Sequence, residues 1–185
     1  GIFTGNRETS NRKGDGGHVV GMIATDNTDT QILTITKNGM AKRSRFGTAE
    51  KIPDLDADGN QKIDEETGEG KMRTDGYRKT NPGAKGAYTM NLNTVDHDEI
   101  ISARHIPDMG DQLFLLTKKG MMIRLPASQT KETKNKKSKG TRIMELRNAN
   151  KDGFTDSIIF TARLPAELVD DEASSTDADE SGEEE

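Results

Sequence analysis

Residues 110–146 read GDQLFLLTKKGMMIRLP (110–126), ASQTKETKNKKS (127–138) and KGTRIMEL (139–146). The first piece alternates apolar and polar residues closely enough for two strands, with Lys118-Lys119-Gly120 as the turn between them. The middle piece is polar and rich in lysine, and the last is short enough for one more strand. A hairpin therefore carries a basic loop onto a third strand. Lys131, Lys134, Lys136, Lys137, Lys139 and Arg142 put six bases in twelve residues, with Glu132 the only acid.

The same pattern occurs upstream. Ile32 to Arg43 (ILTITKNGMAKR) matches Leu113 to Arg124 (LFLLTKKGMMIR) at a constant offset of 81. Asn38-Gly39 is a strong hairpin turn, because both residues tolerate positive φ. Lys85 to Leu92 (KGAYTMNL) repeats as Lys139 to Leu146, and Asp98 to Ile106 repeats as Asp156 to Leu164; His18 to Ala24 (HVVGMIA) reads as an earlier strand of the last kind. Ile2-Phe3 is a short apolar pair followed by polar loop. Units of four short strands recurring along a chain are a mark of propeller-like arrays. The expected fold is all-β, with about two full four-stranded blades plus the end of another: 1–28 ends a preceding blade, 29–109 forms the next, and 110–168 the last.

One spacing breaks the repeat. Gly39 to Gly86 is 47 residues, whereas Gly120 to Gly140 is 20, so the upstream unit carries 27 extra residues within one connection. They fall at about 50–76, inside a polar stretch from Arg45 to Thr80 that reads as loop with little structure of its own. Within it, Asp56, Asp58, Asn60 and Asp64 match oxygen positions of an EF-hand calcium loop, but Gln61 replaces the turn glycine and Thr67 the bidentate glutamate. These four residues are a candidate Ca²⁺ site; a bland acidic loop and a competitor for a basic surface are the other readings.

Composition bounds the rest. Of 185 residues, 30% are hydrophobic and 4% aromatic, lean for one large core and suited to thin β layers. The absence of cysteine excludes disulfides and thiolate metal sites and fits a reducing compartment. No apolar run approaches a membrane span. The opening GIFTGNRETS has neither signal-peptide character nor an initiator methionine, so a fragment of a longer protein is expected.

The formal charge of −5 conceals segregation. Nine of the 32 acids lie in Asp170–Glu185, without one base, and seven more lie in Asp54–Glu69 beside a single lysine, leaving 16 acids against 26 bases elsewhere. Such a body suits a polyanion. The tail, 169–185, is too charged and too poor in apolar residues to fold and is expected to be disordered.

Catalytic signals are lacking. His18, His97 and His105 are scattered, and Tyr77 and Tyr88 have no catalytic setting. No G-x-x-x-x-G-K-[S/T] spacing offers a phosphate loop. Aromatics are scarce near the cations, which argues against stacking on single-stranded bases. Many phosphate contacts with little base reading would need cations such as these.

Six segments in order, ILTITKNGMAKR, NPGAKG, DEIISARHI, QLFLLTKKGMMIR, SKGTRIMEL and ARLPAEL, resemble the C-terminal domain of the DNA gyrase A protein, with its topoisomerase IV counterpart the close alternative. The resemblance covers about Gly1 to Leu168. It implies a β-pinwheel whose basic rim binds and bends duplex DNA, supporting ATP-dependent negative supercoiling. It also implies two partners in an A2B2 enzyme, the gyrase B protein and a second copy of the A protein. ATP and Mg²⁺ would be held elsewhere in that enzyme, with no cofactor here and a cytoplasmic location. The family's Q-R-R-G-G-K-G box is missing; Asn81 to Gly86 stands in its place with less charge. The expected DNA-binding residues are Lys42, Arg43, Arg45, Arg78, Lys79, Lys85, Lys118, Lys119, Arg124, Lys131, Lys134, Lys136, Lys137, Lys139 and Arg142. A propeller scaffold that binds protein and holds Ca²⁺ in the acidic loop is the reading from another class.

Overall fold

The computed structural model describes residues 2–4 (backbone only), 19–83, 86–92, 98–135, 138–148, 150 and 153–168. Eleven strands follow in order: β1 (Ile2–Thr4), β2 (Val19–Met22), β3 (Gln31–Thr36), β4 (Met40–Arg45), β5 (Lys51–Pro53), β6 (Met72–Thr74), β7 (Ile100–Ile106), β8 (Gln112–Thr117), β9 (Met122–Pro126), β10 (Thr141–Arg142) and β11 (Ile158–Leu164). A single 3₁₀ turn, Ala127–Gln129, follows β9. The fold is all-β and propeller-like, as expected.

Both repeated hairpins form, and each has the same turn. Thr36 Oγ1 accepts the Met40 N–H at 3.1 Å, and Thr117 Oγ1 accepts the Met121 N–H at 3.1 Å. A third strand then flanks each hairpin: β7 pairs with β3, and β11 with β8. Its leading aspartate fastens the turn. Asp98 Oδ1 accepts the N–H groups of Asn38 and Glu99, and Asp156 Oδ1 those of Lys119 and Ser157. Burial pushes the Asp98 carboxyl up despite these bonds. At Asp156 burial also pushes upward, but the bonds from Thr117, Ser157 and Lys119 and the Lys119 charge outweigh it, and the carboxyl is lowered.

The fourth strand departs from the sequence reading. Within Lys139 to Leu146 only Thr141–Arg142 is strand, and it pairs with β4 of the upstream hairpin (Thr141 with Ala41, Arg142 with Met40) rather than with its own β9. The first sheet therefore runs β10-β4-β3-β7, and the second, β11-β8-β9, has three strands. In the upstream copy of that segment, residues 86–92 form no strand. Backbone groups take a ladder only where a neighbouring edge presents partners. Beside β4 there is room for one such strand, and the downstream copy occupies it.

One core serves both sheets. Leu33, Ile35, Ala41 and Ile106 of the first pack with Leu113, Leu115, Leu125 and Ile158 of the second, and Met144 and Leu146 close the gap between them. Gly39 sits at that junction with φ +84°; a Cβ there would stand 2.4 Å from the Met144 carbonyl oxygen. Glycine is needed twice over at this position, for the turn and for the close approach.

Ile2–Thr4 is a strand that pairs with β2. One further expectation is corrected. The acidic insertion is not structureless. β5 and β6 form a hairpin, continued by bridges Leu55–Gln61 and Ile63–Gly70. Its aspartates build the turns: Asp56 Oδ1 accepts the N–H groups of Asp58 and Asn60, and Asp64 Oδ1 those of Glu66 and Thr67. Short polar side chains that satisfy their own backbone are what fold a stretch with so few apolar residues. His18, His97 and the tail 169–185 lie outside the described residues.

Candidate nucleic-acid interface

The two ends of the lysine-rich stretch run along the edge of the first sheet. The Arg43 N–H donates to the Lys131 carbonyl at 3.2 Å, and the Thr133 N–H to the Arg43 carbonyl at 3.0 Å. Residues 131–133 thus continue along the edge of β4 that β10 then takes up, making a strap from Lys131 to Arg142. Glu132 is exposed but engaged: its Oε2 accepts from Gln31 Nε2 at 2.8 Å, and its charge lies near the Arg43 guanidinium. Lys131, Lys134 and Lys139 are exposed. Arg142 is also exposed and pairs with Glu145. The stretch's lone acid is thus engaged by neighbouring side chains, while its described lysines are exposed. Lys136, Lys137 and Lys85 lie outside the described residues.

Three of the expected cations have partners within the protein. Lys42 is fully buried, and its Nζ donates to the carbonyls of Thr89 and Asn135, each at 2.7 Å. Arg43 donates from Nε to the Thr130 carbonyl at 2.6 Å and from Nη1 to Gln31 and to the Met109 sulfur. Burial lowers its pKa, partly offset by Glu132. Arg45 spans Asp29 and the buried Asp75 at 2.8 and 3.1 Å. Lys42 has found its acceptors inside the protein, as a buried cation must, whereas Arg45 is exposed and paired at the surface.

The other described cations are exposed. Lys118 and Lys119 stand exposed at the tip of the second hairpin, and Arg124, also exposed, lies 5.6 Å from the centroid of the Phe114 ring. Lys79 is exposed, and Arg78 reaches the Gly86 carbonyl at 3.4 Å.

The candidate calcium residues do not come together. Asp56 and Asp64 are turned onto their own turns, Asp64 lies 3.8 Å from Lys71 Nζ, and its carboxyl is lowered chiefly by the N–H groups of Glu66 and Thr67. Among the described residues no three His, Asp or Glu side chains converge on a point that could hold a metal.

Sequence reasoning missed the structural cations, although a signal for one existed. Lys42 aligns with Ile123, an apolar residue packed against the core, so its slot in the repeat points inward. It also missed Arg163, which holds the buried Asp111 at 2.9 Å, and Arg104, which donates to the Thr161 carbonyl at 2.6 Å and ties β7 to β11.

Exchanged strands, repeated hairpins and a cationic outer strap define a propeller-type repeat protein. More particularly, the family model of the DNA gyrase C-terminal domain, a β-propeller, matches residues 30–48 and 111–161, which hold both hairpins and the strap. Among solved structures, the C-terminal domain of DNA topoisomerase IV shares the fold at TM-score 0.50 and 15% identity, covering 80% of this chain and 35% of its own. The E. coli ParC C-terminal domain follows at TM-score 0.49 and 18% identity (81% and 47% covered), and the DNA gyrase A C-terminal domain at 0.39 and 14% (83% and 72%). The chain thus spans about a third of the topoisomerase IV domain and about half of the ParC domain. No curated protein sequence matches it. Among the described residues no helix is long and apolar enough to cross a membrane.

Proposed function

We propose that this chain binds duplex DNA as part of the C-terminal region of the A protein of a type II topoisomerase. The observation that carries this reading is the lysine-rich stretch 131–142, bonded to the edge of β4 at 131–133 and 141–142, with Glu132 engaged by Gln31 and Lys131, Lys134 and Lys139 exposed. A row of cations on a rigid edge suits a phosphate backbone, whose neutralisation releases counterions. The gyrase family match favours a gyrase A protein, in which wrapping would support negative supercoiling with ATP hydrolysed on the B protein of an A2B2 enzyme in the cytoplasm. The fold likeness to the topoisomerase IV domain supports that enzyme's counterpart as the second reading.

Fluorescence anisotropy against a mixed-sequence duplex over a salt series tests the proposal. Each phosphate contact contributes about −0.9 to the slope of log K against log salt. Alanine at Lys131, Lys134 and Lys139 together should flatten that slope by about 3 and weaken all duplexes alike. Arg45→Ala, whose charge is already paired, should leave affinity within about twofold. A triple variant that bound as tightly as the parent would sink the interface. Wrapping has its own test: relaxing a plasmid with topoisomerase I in the presence of the chain should change its linking number without ATP.

A further inference from the structure

The acidic insertion has two unlike faces. Three backbone bonds close its hairpin into a ring: the Asp54 N–H donates to the Lys71 carbonyl at 2.8 Å, the Lys71 N–H to the Lys62 carbonyl at 2.6 Å, and the Lys62 N–H to the Asp54 carbonyl at 2.8 Å. Successive residues of an extended chain point to opposite faces. On one face Asp54 pairs with Lys62 at 3.5 Å, and Asp64 with Lys71 at 3.8 Å. The residue after each ring member, Leu55, Ile63 and Met72, therefore belongs to the other face. The cross-strand partners agree. Met72 lies opposite Pro53, Leu55 opposite Gln61 and Ile63 opposite Gly70, and Gln61 Nε2 reaches the Met72 sulfur at 3.6 Å.

Leu55, Ile63 and Met72 are 44%, 57% and 50% exposed, and none joins the core between the two sheets. Single apolar residues on a surface are ordinary, but three gathered on one small face mark a surface that is covered in use. Its rim is charged. From Asp54 to Glu69 seven acids stand against one lysine, and Asp58, Glu65, Glu66 and Glu69 are exposed at the turns. The arm is also fastened to the first sheet. The buried Asp75 carboxylate accepts the Thr48 N–H at 3.0 Å and Arg45 Nε at 3.1 Å, and the Asp75 N–H donates to the Glu50 carbonyl at 2.8 Å. A face held in place loses little conformational freedom when it is covered.

We propose that the face of Leu55, Ile63 and Met72 docks a protein surface that carries apolar side chains bracketed by lysine or arginine. An apolar centre with a polar rim is how such interfaces are made, and acids at the rim select a cationic partner. The same acids repel a phosphate backbone, and two copies of this face would set acid against acid. The contact is separate from the cationic strap and does not depend on DNA binding.

Fluorescence anisotropy tests this with a labelled peptide of alternating lysine and leucine, set against one in which serine replaces leucine at equal charge. The chain should bind the leucine peptide about tenfold more tightly than the serine peptide. The variant L55S/I63S/M72S should erase that difference with its far-ultraviolet circular dichroism unchanged. The variant E65Q/E66Q/E69Q, which keeps the apolar face, should weaken leucine-peptide binding about threefold and flatten its salt dependence. Equal affinity of the parent for the two peptides, or leucine-peptide binding that survives in L55S/I63S/M72S, overturns the proposal. Concentration-dependent self-association of the parent in sedimentation, lost in that variant, also overturns it, because the occupant would then be a second copy.

Discussion

The hairpins β3–β4 and β8–β9 share a turn, a locking threonine and a fastening aspartate, yet the first strand of one is buried along almost its whole length and the first strand of the other on alternate residues only. β3 has five of six residues buried; β8 alternates buried and half-buried. The difference lies in the neighbours. The first hairpin has β7 on one side and the strap with β10 on the other, while among the described residues the second pairs with β11 alone. Its basic residues follow suit: Lys42 and Arg43 hold the strap, and Arg124, the counterpart of Arg43, lies exposed against Phe114. A repeated sequence thus yields unlike chemistry, decided by what packs on the edge.

Substitutions at matched positions break that comparison most sharply at Lys42. Lys42→Met would strand the Thr89 and Asn135 carbonyls beside an apolar side chain, at a cost of about 3 kcal/mol in urea unfolding. Ile123→Met, at the matched half-buried site, should cost under about 1.5 kcal/mol. Comparable losses at the two sites would show that the strap does not depend on Lys42.

The turn glycines give a smaller contrast. Both have φ near +84°, so alanine should cost about 1 kcal/mol at Gly120 from backbone conformation alone. At Gly39 the Met144 carbonyl adds a collision, and the loss should exceed that at Gly120 by about 2 kcal/mol. Thermal melts of the two variants measure the gap directly.

The subtlest contrast is in pH dependence. Asp156 has a lowered folded pKa, so its stabilisation is whole above the unfolded value of about 3.9 and is lost as pH falls through the folded one. Asp98 has a raised folded pKa; its ionisation opposes folding, and the cost is relieved as pH falls from that raised value toward the unfolded one. Asp156→Asn should therefore make the acid loss of stability shallower, and Asp98→Asn should make it steeper. Denaturant midpoints between pH 6 and 3 would reveal slopes of the same sign if the two sites were equivalent.

Much of this was legible beforehand. Alternation in QILTIT and QLFLLT, with glycine turns at fixed distance, announces both hairpins. The offset of 81 announces the repeat. Pairing partners were not legible, because nothing in KGTRIMEL says whose edge it will join; that depends on geometry between units. The acidic insertion was misread for a related reason. Its order comes from aspartates bonding to their own turns, and composition alone makes such a stretch look like solvated loop. At the rim, counting cations found the strap but could not separate Lys131, exposed, from Lys42, buried.

Strand exchange also sets a timetable. Thr141 lies 100 residues beyond the Ala41 it pairs with. A nascent chain leaves the ribosome at about 5–20 residues per second, so the first hairpin is synthesised several seconds before its edge can be covered. During that interval β4 presents an open ladder, with the Lys42 amine still lacking Asn135. A cation on an uncovered edge is a known deterrent to mispairing, and here the residue that later locks the sheet would first act as its guard.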